Sequence, residues 1–88
     1  MNKLEWYPMD KDLEPLFFDL VGKLVFATIE INVLGNIKRD VVLGYFKGKN
    51  VEQKYIFAPL HKPKEVIQTP TLVAIMPVPT IYNGPNPN

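Results

Sequence analysis

Between Lys23 and Val33 apolar and polar residues alternate with a period of two. Val25, Ala27, Ile29, Ile31 and Val33 are apolar, while Thr28, Glu30 and Asn32 are polar. β-Branched residues dominate the run, so the pattern predicts a strand. Leu24 and Phe26 interrupt the alternation at its start, which predicts an end buried on both faces. Gly35-Asn36 supplies residues that tolerate positive φ, and a hairpin turn is expected over 34–37.

A second run, Asp40 to Phe46, puts Val41, Leu43 and Tyr45 on one face and Val42, Gly44 and Phe46 on the other. Lys47-Gly48-Lys49-Asn50 reads as the next turn. Val51 to Phe57 reads as a third strand, with Val51, Tyr55 and Phe57 on one side and Glu52, Lys54 and Ile56 on the other. Connections this short permit only antiparallel pairing, so the three strands form a meander.

Proline punctuates the rest. Its nine positions are 8, 15, 59, 63, 70, 77, 79, 85 and 87, leaving 16–58 free for continuous backbone pairing. Ala58–Glu65, with two prolines and His61, reads as a loop. Thr71–Met76 is a short apolar run between Pro70 and Pro77, which suits an edge strand. Leu4–Tyr7 fits another short strand.

One helix is expected, over Asp10–Val21. Asp12 serves as N-cap, Pro15 lies in the first turn, Leu16, Phe17, Leu20 and Val21 form a buried stripe, and Gly22 ends it. The alternative is that Phe17-Phe18 opens a strand. From Thr80 the chain reads TIYNGPNPN, a tail too polar and too broken to pack. The expected fold is mainly β: an antiparallel sheet or meander of four or five strands with at most one short N-terminal helix, α+β being the variant. It occupies 1–79 as one domain, followed by a flexible tail over 80–88.

Composition narrows the chemistry. The 88 residues contain neither serine nor cysteine, and His61 is the single histidine. That excludes a Ser–His–Asp triad, a thiol nucleophile, a disulfide and cysteine-ligated metal within one chain. Asp10-x-Asp12-x-Glu14 opens like a calcium loop, but Pro15 stands where glycine is needed and Val21 where glutamate is needed. Gly44 to Lys49 has three residues between its glycines, not the four of a phosphate loop. No metal, cofactor or catalytic residue is expected, and the chain reads as a non-enzyme.

The net charge of +1 argues against a nucleic-acid binder, which needs a strong basic footprint. The charge is unevenly spread: residues 1–22 hold two bases against five acids, and 23–88 hold eight against four. Leu16–Ile31 is interrupted by Asp19, Lys23 and Glu30, so it does not read as a membrane helix. Without an export signal the expected compartment is the cytosol.

Recognition by a surface remains. Tyr45, Lys47, Lys49 and Tyr55 cluster around the second expected turn, with Tyr45 and Tyr55 placed to pair across the meander. Such an aromatic–basic group suits an anionic, nucleotide-like ligand, against the plainer reading of cross-strand packing beside a solvated turn. Trp6 and Tyr7 offer aromatic surface near the N-terminus, against the plainer reading of a core or rim plug. His61 and Lys62 offer a cationic loop. The hydrophobic fraction of 47% in so small a chain, with an open edge, predicts self-association into a homo-oligomer.

Several short segments carry a resemblance. They are Glu5-Trp6-x-Pro8-x-Asp10, the acidic stretch with Pro15, Lys23-Leu-Val-Phe-Ala-Thr, Val42-Leu-Gly44-Tyr45-Phe46 and Leu72-Val-Ala-Ile-Met76-Pro77-Val78-Pro79. Together, over 5–79, the chain resembles a family of short phage and prophage proteins of unknown function. Ile75 stands where that family carries tryptophan. The resemblance implies a small phage-encoded β-rich protein, an accessory or counter-defence factor; the lack of catalytic groups makes the expected action inhibition or modulation of a host protein by binding it, in the host cytosol if the chain is phage-encoded. The alternative is an oligomeric sponge for a nucleotide-like small molecule.

Overall fold

A computed structural model describes residues 5–9, 17–79 and 84–86. Its elements are strands: β1 (Tyr7–Pro8), β2 (Leu24–Val33), β3 (Asn36–Lys49), β4 (Tyr55–Pro59), β5 (Ile67–Gln68) and β6 (Leu72–Pro77). They form one open antiparallel sheet in the order β1-β6-β2-β3-β4-β5. The expected mainly β class is therefore observed. Among the described residues the strands number six, β1 and β5 contributing two residues each.

The alternation in β2 becomes burial: Val25, Ala27 and Ile29 point into the core. Beside them β3 contributes Phe46 and β4 contributes Phe57, while Leu72 and Ile75 come from β6. Phe17 and Leu20 cover this same face, joined by Tyr7 and Met9. The core thus lies on one side of the sheet.

The helix expected over 10–21 lies outside the described residues as far as residue 16. Its described remainder has helical backbone at 17 and 18 and then closes in turns. The N–H of Leu20 donates to the Phe17 carbonyl (2.9 Å) and that of Lys23 to the Leu20 carbonyl (3.0 Å). Gly22, at φ 81°, supplies the left-handed stop that its composition suggests. Of the tail over 80–88, residues 84–86 are described, and they are exposed.

Three local expectations are corrected. The hairpin closes on Leu34-Gly35 rather than Gly35-Asn36. Val33 pairs with Asn36, and the two loop residues take φ 52° and 83°, as a type I′ turn demands. The second turn falls at 50–54, not 47–50. β3 runs on through Lys49 because Gly48, at φ 84°, accommodates a bulge instead of reversing the chain. Asn50 then builds the reversal, its Oδ1 accepting the N–H groups of Glu52 (2.9 Å) and Lys54 (3.0 Å). Val51 is consequently almost fully exposed and outside any strand. Finally, β6 is not an edge. It sits between β1 and β2, which its prolines permit: Pro70 lies before the strand, and Pro77 is its last residue.

Gly44 marks close backbone packing. A Cβ there would collide with the Ala58 carbonyl oxygen and lie 2.7 Å from Phe57 Cζ, so only glycine lets the Phe57 ring settle across β3.

Candidate functional site

The register separates the residues that sequence spacing groups together. Tyr45 faces Ala58, and Lys49 faces Tyr55, with the bulge between Phe46 and Gly48 shifting the phase between these two pairs. Tyr45 therefore lies on the outer face of the sheet, opposite the core, and is 40% exposed, whereas Tyr55 lies on the core face and is buried. The expected Tyr45–Tyr55 pair does not form. Tyr55 packs edge-on against Phe17 (5.1 Å between ring centroids) and beside Phe46 (5.9 Å). Each lysine follows one tyrosine: Lys47 Nζ stands 5.8 Å from the Tyr45 ring centroid and Lys49 Nζ 5.1 Å from that of Tyr55.

Lys47, Lys49 and Tyr55 still share one cleft of about 350 Å³, whose apolar wall is Phe17, Phe18, Val21 and Phe46. Trp6 and Tyr7 lie elsewhere. Trp6 is partly exposed, but Tyr7 is a core residue, its backbone paired with Ile75. Burial, and then the neighbouring Glu5 carboxylate, push the Tyr7 phenol above its ordinary range. His61 and Lys62 occupy an exposed loop after β4, where Lys62 is 3.8 Å from Glu65. His61 and Leu60 border a shallow groove along Val41 and Leu43. The eight residues singled out by sequence thus fall into four places, the N-terminal segment, the outer face at Tyr45, the cleft and the loop after β4, and two of them, Tyr7 and Tyr55, are packing groups.

The residues that spacing did not flag form the more coherent surface. In the β2–β3 register, Leu24 faces Tyr45 and Phe26 faces Leu43; across β2, Phe26 faces Met76. Directly opposed residues share a face, so these five side chains make one apolar stripe on the outer side. None of Leu24, Phe26, Leu43 and Met76 is fully buried. Toward the hairpin the stripe is followed by Glu30 and Arg39, which also oppose each other, Arg39 Nε donating to Glu30 Oε2 at 2.9 Å, and at its other end Lys47 stands over the Tyr45 ring. The signal for this surface was present in the interrupted alternation at Leu24 and Phe26. It was readable as burial on both faces because sequence does not tell which face receives a covering layer.

Among the described residues no three His, Cys, Asp or Glu side chains converge as a metal site, and no helix is long and apolar enough to cross a membrane. Comparison with protein-family models, with curated proteins and with solved structures finds no match for this chain.

Proposed function

We propose that this chain is a protein-binding module that works by covering a surface of its partner with the outer face of its sheet. The observation that carries this reading is the stripe Leu24, Phe26, Leu43, Tyr45 and Met76, left half-exposed between the Glu30–Arg39 ion pair at one end and Lys47 over the Tyr45 ring at the other. Apolar surface rimmed by satisfied polar groups is the composition of a recognition patch. Such a module needs no catalytic group, which agrees with a chain lacking serine and cysteine. An inhibitor or accessory factor that binds a host protein is the biological form of this reading, in keeping with the accessory or counter-defence role that the phage-family resemblance implies.

The test is capture from host lysate by the native chain and by Leu43→Lys, whose added charge sits in the stripe. A specific protein held by the native chain and lost by the variant supports the reading. Equal retention by both places recognition elsewhere and overturns it.

The cleft holding Lys47, Lys49 and Tyr55 favours a second reading, capture of an anionic aromatic molecule such as a nucleotide. Thermal-shift measurements against a nucleotide panel separate the two. A shift that Lys47→Ala removes and Leu43→Lys spares supports the cleft.

A further inference from the structure

β2 and β3 continue as a two-stranded ribbon beyond the rest of the sheet. β6 pairs with β2 only as far as Ile29, and β4 partners β3 only from Gly44 onward. Along Asn36–Val42, among the described residues, β3 therefore has β2 on one side and no strand on the other. The segment is apolar for a free edge, with Ile37 65% and Val41 61% exposed.

The direction of its backbone groups follows from the hairpin. In a two-residue hairpin the closing pair, Val33–Asn36, is hydrogen-bonded, and bonded pairs then recur at every second residue. Asn36, Lys38, Asp40 and Val42 thus bond to β2, a series confirmed further along where the Phe46 N–H donates to the Lys23 carbonyl (3.1 Å). Ile37, Arg39 and Val41 turn their N–H and C=O groups outward. The next residue of that outward series, Leu43, accepts a bond from the Leu60 N–H (2.9 Å), so an outward carbonyl of this strand does take a partner where one is present.

The geometry points to a second copy of this chain as the occupant of that edge, paired antiparallel about a two-fold axis at Arg39. With that axis perpendicular to the sheet, each residue opposes one on the same face. Lys38 then opposes Asp40 of the other copy, twice over, and Ile37 opposes Val41 twice. Arg39 with Arg39, and each Ile37 with Val41, are the bonded pairs that the outward groups require. Lys38 and Asp40 fall in the closer, non-bonded positions, where opposite charges interact best. Among the described residues neither has an ion-pair partner within its own chain. The one like-charged pair is Arg39 with itself, and each guanidinium is drawn toward its own Glu30 (2.9 Å). The resulting dimer has one continuous twelve-stranded sheet, with the two outer faces on the same side. This interface does not rest on the partner-binding reading above, since its charges and backbone groups lie outside the apolar stripe.

The experiment is sedimentation analysis across micromolar concentrations of the native chain, Lys38→Glu, Asp40→Lys and the double exchange. The native chain dimerises, more weakly as salt rises. Each single reversal sets like charges opposite each other at two places and weakens the dimer by about tenfold or more, and the double exchange restores it. The restoration also shows that the single variants fail by charge and not by unfolding. As a positional check, Arg39→Cys in this cysteine-free chain oxidises readily to a linked dimer, because bonded antiparallel partners stand about 5.5 Å apart. Asn36→Cys, far from its own copy, does not. A native chain that stays monomeric, a dimer indifferent to both charge reversals, or equal cross-linking at 36 and 39 overturns the proposal.

Discussion

The same two strands behave as different materials at their two ends. In the body, β2 from Val25 to Ile29 lies between β3 and β6, and every second side chain is buried. In the ribbon, from Glu30 to Val33 and from Asn36 to Val41, the pairing is equally regular, yet all but half-buried Glu30 are exposed. Hydrogen-bonded pairing is therefore not what distinguishes structure from stability here. A paired strand gains its main stabilisation only where a neighbouring strand or segment removes its apolar face from water. The long dimension of 51 Å against 29 and 24 Å for the other two reflects this extension.

Truncation at matched positions breaks the comparison most sharply. Phe46→Ala removes a fully buried ring that touches Phe17 and Tyr55, and costs about 3–5 kcal/mol, enough to unfold much of a domain this small. Ile37→Ala, on the same strand but in the ribbon, costs less than about 1 kcal/mol in the monomer. Urea midpoints of the two variants at low protein concentration measure the contrast. Equal losses would mean that the ribbon is packed. Gly44→Ala follows at about 1–3 kcal/mol, since its methyl group collides with the Ala58 carbonyl and the Phe57 ring.

At the ribbon's tip the expected effect reverses sign. Leu34 holds φ 52° with its side chain 98% exposed, so it bears a left-handed backbone without any packing in return. Leu34→Asn, a residue suited to the first position of a type I′ turn, stabilises the chain by about 1 kcal/mol and removes an exposed apolar group. A midpoint unchanged or lowered would show that Leu34 is held by contacts the turn geometry does not reveal.

These differences mark what was legible in the sequence. Side-chain periodicity is local, so β2, the alternating part of β3 and the presence of a hairpin between them could be read directly, though not which two residues close it. What depends on distant partners could not. The two-residue strands β1 and β5 exist only because β6 and β4 lie beside them. Gly48 looks like a turn residue because a bulge and a turn both use positive φ, and only the length of the pairing on either side distinguishes them. The aromatic–basic cluster dissolved for the same reason: the register sets Phe46 opposite Phe57, so Tyr45 falls on the outer face and Tyr55 on the core face, an outcome that no spacing between 45 and 55 contains. The apolar stripe was visible as composition and invisible as a surface.

The smallest effect tests how firmly the body is closed at its far edge, where β1 adds only two residues to β6. Tyr7 anchors that edge, and its phenol is raised above the ordinary value of 10.0, first by burial and then by Glu5. Both causes disfavour the phenolate in the folded chain, so the folded state keeps the proton after the unfolded state has released it. The stability tied to this group is complete below about pH 10 and declines as pH rises through and above it, because the unfolded chain then binds fewer protons than the folded one. Tyr7→Phe retains the ring and cannot ionise. Its melting temperature therefore falls less steeply than the native chain's between about pH 9.5 and 11. Parallel curves over that window would mean that Tyr7 ionises as freely folded as unfolded, and that the β1 edge opens to water as readily as the ribbon does.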